Sequence, residues 1–131
     1  MNKVLFAIFL LFSGYASNSQ TRMAATPICR VDKKSKELFV LPDPKTEFRI
    51  YGYEYPKPDS RKMICFSSRA EDVRGNYAKC PLGSYFDSNR LPVGDKIKWV
   101  ANSGNYARMI YTSSKAKRTI FYLPKNSIAL K

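Results

Sequence analysis

Three tyrosines at a spacing of two residues are the first candidate for a binding site. Tyr51, Tyr53 and Tyr55 share one face if their segment is a β-strand, because successive strand side chains point to opposite faces. Pro56 and Pro58 follow directly and mark a loop. A row of tyrosine rings beside such a loop predicts a platform for sugar rings, bases or proline-rich peptide. The alternative interpretation is packing of the rings in the core or against neighbouring strands.

Two aromatic residues of the C-terminal third extend this candidate site. Trp99, the single tryptophan of the chain, is expected in the core or half-exposed beneath the same groove. Tyr106 follows Gly104 and Asn105, a pair typical of a tight hairpin turn. We therefore include Trp99 and Tyr106 among the ligand-binding residues.

A basic segment, residues 113–118, provides a second candidate. It contains Lys115, Lys117 and Arg118 and is predicted to be a hairpin tip between two strands. Three cations at such a tip could bind phosphate or sulfate groups. A solvated loop is the alternative interpretation.

Residue types that support catalysis are scarce. The chain contains no histidine, which excludes histidine-dependent bases and the commonest zinc ligand. The only adjacent acids, Glu71 and Asp72, lie in a predicted turn, and no glycine-rich phosphate loop occurs. We therefore predict a protein that is not an enzyme and that has neither a cofactor nor a metal site.

The three cysteines predict one disulfide bond and one remaining thiol. We expect Cys65 to pair with Cys80, since the two bracket a short segment containing Gly75 and Asn76. Cys29 paired with either of them stays open as an alternative. The remaining thiol would be buried, or would join a second chain.

The N-terminal segment predicts export. Lys3 precedes nine apolar residues, 4–12, and small residues follow, as in a secretory signal peptide over residues 1–19 that is cleaved between Ala16 and Gln20. Residues 20–28 are predicted to be a flexible lead-in, and residues 29–131 a single small domain. We expect a secreted or periplasmic protein whose mature chain has no transmembrane segment.

The mature chain is strongly basic. Loss of Lys3 leaves 22 basic and 10 acidic residues, a net charge of +12, and the last 36 residues contain eight cations and no acid. Such a field attracts anionic polymers or membrane surfaces. Export argues against nucleic acid as the partner. A merely soluble basic surface is the alternative.

The pattern along the chain is that of an all-β protein. Short apolar or aromatic runs alternate with turn residues every 8 to 12 positions, and no sustained helical period occurs apart from one turn around residues 68–73. This pattern predicts a small antiparallel barrel or partly open sheet. Strands are expected at 37–41, 47–53, 62–66, 76–80, 84–86, 96–100, 106–111 and 119–123.

A short internal repeat accompanies this pattern. Residues 75–79 and 104–108 share a Gly-Asn-Tyr-Ala-basic sequence, and each copy is predicted to be a hairpin turn followed by a strand.

Residues 91–123 resemble the bacterial SH3-like domain. The matching features are a Gly-Asp-Lys turn at 94–96, a Ser-Gly-Asn-aromatic-Ala-basic hairpin at 103–108, and an aromatic strand at 119–123. The resemblance implies a small barrel whose aromatic groove binds peptides or cell-wall fragments, and it carries over no catalytic residue.

Together these features predict an exported, non-enzymatic binding module of the cell envelope or extracellular space. It would recognise a protein or a cell-wall glycan through the tyrosine face and the basic edge. The alternative is a secreted basic effector or toxin-like factor that docks on anionic surfaces.

Overall fold

The computed structural model describes residues 28–130 of the chain. Within that range the protein consists mainly of β-strands, so the predicted all-β class is confirmed. The strands are β1 (Cys29–Val31), β2 (Leu38–Val40), β3 (Arg49–Tyr53), β4 (Lys62–Ser67), β5 (Ser84–Tyr85), β6 (Lys96–Ser103), β7 (Tyr106–Thr112), β8 (Arg118–Pro124) and β9 (Ile128–Leu130). The helices are α1 (Ala70–Arg74) and two 3-10 helices, Ser88–Arg90 and Lys125–Ser127.

The strands form two sheets. The larger has the order β5-β4-β3-β8-β7-β6 and the smaller the order β2-β1-β9. β6, β7 and β8 form an antiparallel meander, whereas β5 runs parallel to β4 and β9 runs parallel to β1. One isolated bridge, between Glu37 and Lys98, joins the edges of the sheets.

Of the two predicted arrangements, a small antiparallel barrel or a partly open sheet, residues 28–130 show open sheets. Strand pairs of both directions occur, and the ladders within residues 28–130 do not form one closed ring. β5 follows β4 through a connection that contains α1, and β9 joins β1 after the chain has left β8 of the larger sheet. β5 and β9 have only two or three residues, too few to show a period in the sequence.

The hydrophobic core is shared by both sheets. Met109 and Phe121 of the larger sheet belong to one buried cluster with Val31 and Val40 of the smaller sheet. Along β7 the buried residues alternate with exposed or half-exposed ones, as predicted for a sheet with one wet face. The alternation shows that the even-numbered residues of β7 and β8 point away from the core.

Gly52 allows the core to approach β3 closely. A Cβ atom at this position would lie 2.4 Å from Phe121 Cδ2 and 2.7 Å from Ile64 Cγ2. Only glycine therefore fits between Tyr51 and Tyr53, whose side chains point to the opposite face of the sheet.

The predicted strand over residues 76–80 is wrong. These residues form a turn after α1, in which Asn76 and Lys79 have positive φ angles of 46° and 54°. The Asn76 side chain accepts a hydrogen bond from the Cys80 N–H at 3.1 Å and donates one to the Cys80 carbonyl at 3.0 Å. These bonds close the turn on itself, so the segment pairs with no strand.

Only the second copy of the Gly-Asn repeat is a hairpin. Ser103 pairs with Tyr106, and Gly104 takes a φ of +61° in the two-residue turn between them. The helical turn expected near residues 68–73 is present as α1.

The predicted disulfide between Cys65 and Cys80 is absent. Cys29, Cys65 and Cys80 are all free thiols and all buried. Burial raises the pKa of Cys29 to about 12 and that of Cys65 to about 11. Cys29 lies in the shared core and, as a free thiol, forms neither of its alternative pairings.

The predicted signal peptide, and the lead-in as far as residue 27, lie outside the described residues. The first strand begins at Cys29, where the domain was expected to start. Of the helices in residues 28–130, none has the length and apolar character that a membrane crossing requires.

Candidate binding surface

The outward-pointing residues of four neighbouring strands form the candidate site. We call this surface the outer face; it belongs to β3, β8, β7 and β6 and lies opposite the core. Cross-strand pairs place its residues in rows, such as Lys96, Thr112 and Arg118. The members are Tyr51, Tyr53, Lys96, Lys98, Tyr106, Arg108, Ile110, Thr112, Arg118, Ile120, Tyr122 and Pro124. None of them is an acid.

Four tyrosines occupy the β3 side of the outer face. Tyr53 lies at the centre: its ring centroid is 6.3 Å from that of Tyr51 and 6.3 Å from that of Tyr106, in edge-to-face arrangements. Tyr122 is the cross-strand partner of Tyr53. We call Tyr51, Tyr53, Tyr106 and Tyr122 the tyrosine cluster.

The tyrosine cluster is half-buried, so its rings are held in place while part of each stays accessible. Burial raises the pKa of Tyr51 and of Tyr53 above the ordinary value of 10.0. Lys62 places its ammonium 4.7 Å from the centroid of the Tyr51 ring. The cluster thus combines fixed rings, hydroxyl groups and a cation.

The predicted row of three tyrosines is correct for Tyr51 and Tyr53 and wrong for Tyr55. The β3 strand ends at Tyr53, where a register shift interrupts its pairing with β4. Tyr55 lies in the loop beyond, with 56% of its surface exposed, and its N–H donates to the Ser60 hydroxyl at 3.1 Å. Tyr106 takes the place next to Tyr53 instead.

A groove continues from the tyrosine cluster to the proline-marked loop. It has a volume of about 800 Å³, and Tyr106, Pro56, Pro58 and Pro124 supply its apolar walls. Asn105, Lys125 and Asn126 supply the polar groups. The predicted association of a tyrosine surface with Pro56 and Pro58 is present through Tyr106.

Trp99 lies away from this groove, at the other edge of the larger sheet. It is half-buried, as one of the two predicted arrangements required, but it faces a different cleft. Trp99 pairs with Met109 on the edge strand β6, and its ring packs against the core cluster. The Trp99 Nε1 donates to Asn102 Oδ1 at 3.2 Å, which orients the ring.

Four cations surround the cleft at Trp99. We call it the basic cleft; it measures about 600 Å³ and is lined by Trp99, Lys36, Lys96, Lys98 and Arg118, together with Val100, Ile110 and Thr112. The Lys36 Nζ lies 5.5 Å from the centroid of the Trp99 ring. Trp99 and Arg118 were predicted as site residues from the sequence, whereas the three lysines were not.

The cations of the basic cleft have no acidic partners. The ion pairs within residues 28–130 lie elsewhere and join Arg49 to Asp72, Arg61 to Glu54 and Arg69 to Glu47. Glu37, whose backbone bridges Lys98, forms no ion pair with it. The positive charge of the cleft is therefore not neutralised by the part of the protein that the structure describes.

The predicted basic tip is divided between two places. Lys115 and Lys117 lie in the exposed turn over residues 113–117, which the Ser113 hydroxyl stabilises by accepting from both of their N–H groups. Arg118 is the first residue of β8 and belongs to the basic cleft. The three cations do not form one cluster.

The buried acids serve the fold. Asp72 accepts from the Arg49 Nε at 2.9 Å and from the Ser67 hydroxyl at 2.6 Å, and its pKa is held below the ordinary value by these bonds. Asp95 accepts from the Tyr111 hydroxyl and from the Ser114 N–H. Across residues 28–130 no three cysteine or acidic side chains come together as metal ligands would.

No protein family model, curated protein or solved structure matches this chain. Its resemblance to bacterial SH3-like domains over residues 91–123 therefore stays a prediction. In the structure that segment contains β6, β7 and β8, the three strands that carry most of the outer face.

Proposed function

We propose that this chain is an exported, non-enzymatic binding module of the cell envelope or extracellular space, with an SH3-like relationship over residues 91–123. It would contact a protein or a cell-wall glycan through the tyrosine cluster and the basic cleft. The observation that carries the proposal is the composition of the outer face, which combines half-exposed aromatic rings with unpaired cations and contains no acid.

The geometry of the tyrosine cluster supports a binding role. Edge-to-face contacts at 6.3 Å restrict the rings before any ligand arrives, so binding costs little additional side-chain entropy. Tyrosine offers an apolar ring and a polar hydroxyl together, and is enriched at interfaces for that reason. The adjoining groove with Pro56 and Pro58 supplies a concave surface for an extended ligand.

The structural roles of Asp72 and Asp95 support a non-enzymatic module. Asp72 and Asp95 already accept hydrogen bonds from structural partners, and the sequence contains no histidine. A general acid or base needs a group that can exchange its proton with a substrate.

Substitution of Tyr106 tests the proposal. Soluble peptidoglycan fragments and a proline-rich peptide would be titrated into the mature protein by calorimetry. We expect one of them to bind, and Tyr106→Ala to weaken binding roughly tenfold or more, because a buried aromatic anchor contributes about 2 kcal/mol or more.

Tyr77→Ala is the matched control. Tyr77 is 79% exposed, lies in the turn after α1, and does not belong to the tyrosine cluster. If neither ligand binds, or if Tyr77→Ala and Tyr106→Ala weaken binding equally, the proposed role of the tyrosine cluster is wrong.

A second candidate function, docking on anionic surfaces, is favoured by one observation. Val93 is 95% exposed in the turn before β6, and the Asp95 carboxylate holds this turn to the basic turn by accepting from the Ser114 N–H at 2.9 Å. An apolar side chain beside Lys115 and Lys117 suits insertion between anionic headgroups.

Vesicle binding distinguishes the second candidate. Sedimentation with phosphatidylglycerol vesicles should be weakened both by Val93→Ser and by Lys115→Ala with Lys117→Ala. If neither change weakens sedimentation, the surface formed by Val93 and the basic turn does not dock on the vesicles, and this candidate function is wrong.

A further inference from the structure

The basic cleft has the arrangement of a site for a polymer with regularly spaced negative groups. Lys96 and Lys98 are two residues apart on one face of β6, so their Cα atoms are separated by about 7 Å. Arg118 lies two strands away from Lys96, across Thr112, at roughly 10 Å. Lys36 approaches from the opposite side, over Trp99. The charges are thus distributed along and across the cleft rather than gathered at one point.

The turn that carries Lys36 is fixed before a ligand binds. Asp32 Oδ2 accepts from the N–H groups of Lys34 at 3.1 Å and Ser35 at 2.7 Å, and the Lys36 carbonyl accepts from the Trp99 N–H at 2.8 Å. These bonds anchor the turn to β6. Since the backbone of the cleft is already ordered, little of the binding free energy is lost in organising it.

Between the cations the cleft has an apolar floor. Val100 and Ile110 line the cleft beside the charged side chains, and Trp99, which also packs against the core cluster, lies at its edge next to Lys36. The remaining polar groups are the hydroxyls of Ser35 and Thr112. A sugar ring presents C–H groups on its faces and hydroxyls at its rim, and an acidic sugar adds a carboxylate, sulfate or phosphate. The floor, the hydroxyls and the cations match these three kinds of group.

We infer that the basic cleft binds an acidic polysaccharide, a sugar polymer that carries carboxylate, sulfate or phosphate groups. The inference rests on the proposed binding function and deepens it by assigning the ligand class. Lys96, Lys98, Arg118 and Lys36 bind the acidic groups, and the sugar rings pack on Trp99. The polymer continues over Arg108, which lies on the outer face between the cleft and the tyrosine cluster.

Other anionic partners fit the cleft less well. Single-stranded nucleic acid is held by several aromatic rings on which successive bases stack, and its base edges are read by amide or carboxylate side chains. The cleft has one aromatic ring, and its lining contains no amide or carboxylate side chain. A membrane surface cannot enter a concave site, and its headgroups would meet the protruding turns first.

Trp99 permits a direct test because it is the single tryptophan of the chain. Its fluorescence would be followed during titration of the mature protein with heparin, polygalacturonate and polyglycerol phosphate, which present sulfate, carboxylate and phosphate groups respectively. Uncharged dextran is the negative probe. We expect a saturable change with at least one acidic polymer and none with dextran, and the responding polymer identifies the acidic group.

A pair of variants with equal charge separates the site from the overall charge. Lys96→Ala with Lys98→Ala should weaken binding roughly tenfold to a hundredfold, because each lysine contributes a charge-assisted hydrogen bond. It should also reduce the dependence of the dissociation constant on salt, since fewer counterions are released. Lys33→Ala with Lys34→Ala removes two exposed lysines from the turn at residues 32–36 and should change the dissociation constant less than about twofold.

The outcomes distinguish this inference from the proposed function. Equal losses of affinity in the two double variants would overturn the assignment of an acidic polysaccharide. The assignment would also be wrong if single-stranded DNA or phosphatidylglycerol vesicles bound with the same dependence on Lys96 and Lys98 as the acidic polymer. If Tyr106→Ala weakens peptidoglycan or peptide binding while no acidic polymer changes Trp99 fluorescence, the proposed function stands and this inference fails. If neither response is seen, both are wrong.

Discussion

The side of the larger sheet that lies opposite the core is covered at the β4 end and accessible at the β6 end. At β4 this side is covered: Ser67 contacts α1 through Asp72, and every residue from Met63 to Ser67 is buried. At β6, β7 and β8 none of the elements within residues 28–130 covers it, and charged residues alternate with half-exposed apolar ones.

The treatment of charge differs in the same way. Asp72, on the covered side, is fully engaged with Arg49 and Ser67. Lys96, Lys98 and Arg118, on the uncovered side, have no acidic partner in the described part of the chain. One end of the sheet therefore uses its charges for folding, and the other leaves them available to a ligand.

The largest effect that tests this comparison is expected on β8, where neighbouring residues face the core and the outer face. Phe121 is fully buried, so Phe121→Ala should lower the free energy of unfolding by about 3–5 kcal/mol. Ile120→Ala, one residue away on the outer face, should lower it by about 1 kcal/mol or less. Urea denaturation measures both, and similar losses would show that the outer face also contributes to folding.

The charge at the covered end should appear in the acid dependence of stability. The hydrogen bond and charge of Arg49, with the Ser67 hydroxyl, hold the pKa of Asp72 below its ordinary value of 3.8. The folded state therefore favours the ionised carboxylate, and its stabilisation is present above pH 3.8 and lost as the pH falls through the lowered pKa.

Asp72→Asn tests this linkage. We expect the variant to be less stable than the natural protein at pH 7, by less than Phe121→Ala, and the difference to shrink below about pH 4. Thermal unfolding between about pH 2 and pH 7 measures the effect. Glu71→Gln, at an exposed neighbouring position, is the control and should leave the curve unchanged. A difference that is constant with pH would contradict the assigned role of the carboxylate.

How much of this comparison could be predicted depends on the length of the elements. The alternation in β7 extends over seven residues, which is enough to identify the strand and to separate Met109 from Arg108 by face. β1 and β9 have three residues each and show no period, so neither was predicted. Arg108 lies in this alternation and Tyr122 in the corresponding alternation of β8, so the pattern could have identified both as outer-face residues.

The parts of the site that were missed depend on contacts between distant segments. Lys36 belongs to a turn before β2 and reaches Trp99 of β6 only because the backbones of the two segments are hydrogen bonded. A register shift in β6 directly after Trp99 leaves no mark in the residue pattern either. Tyr55 was misplaced for a similar reason, since β3 ends two residues earlier than a continuous row requires.

Thiol reactivity tests whether the three cysteines are buried in the folded protein. Burial raises the pKa of Cys29 to about 12 and that of Cys65 to about 11. The folded protein at about pH 8 should therefore react slowly with a thiol reagent such as Ellman's reagent, and the denatured protein should release three equivalents.

The raised thiol pKa values also predict alkaline destabilisation. In the unfolded chain the thiols ionise near pH 9, whereas in the folded protein they stay protonated. The contribution of the buried thiols to the free energy of unfolding is therefore complete below pH 9 and is lost as the pH rises toward 12. Rapid modification of the native protein at about pH 8 would show that the cysteines are accessible. Fewer than three equivalents under denaturing, non-reducing conditions would show a disulfide.

The smallest effect is expected at two turn residues of the uncovered end. Ala116 has a φ of 66° in the basic turn, a conformation that strains an L-residue, so Ala116→Gly should raise the free energy of unfolding by a few tenths to about 1 kcal/mol. Gly104 has a φ of +61°, and a methyl group added there would meet no other atom within 4 Å. Gly104→Ala should therefore lower the free energy of unfolding by about 1 kcal/mol through backbone strain alone. Both changes leave the residues of the basic cleft in place, and binding of the acidic polymer should be unchanged. A loss of binding in either variant would show that the turns themselves, rather than the strands of the outer face, contact the ligand.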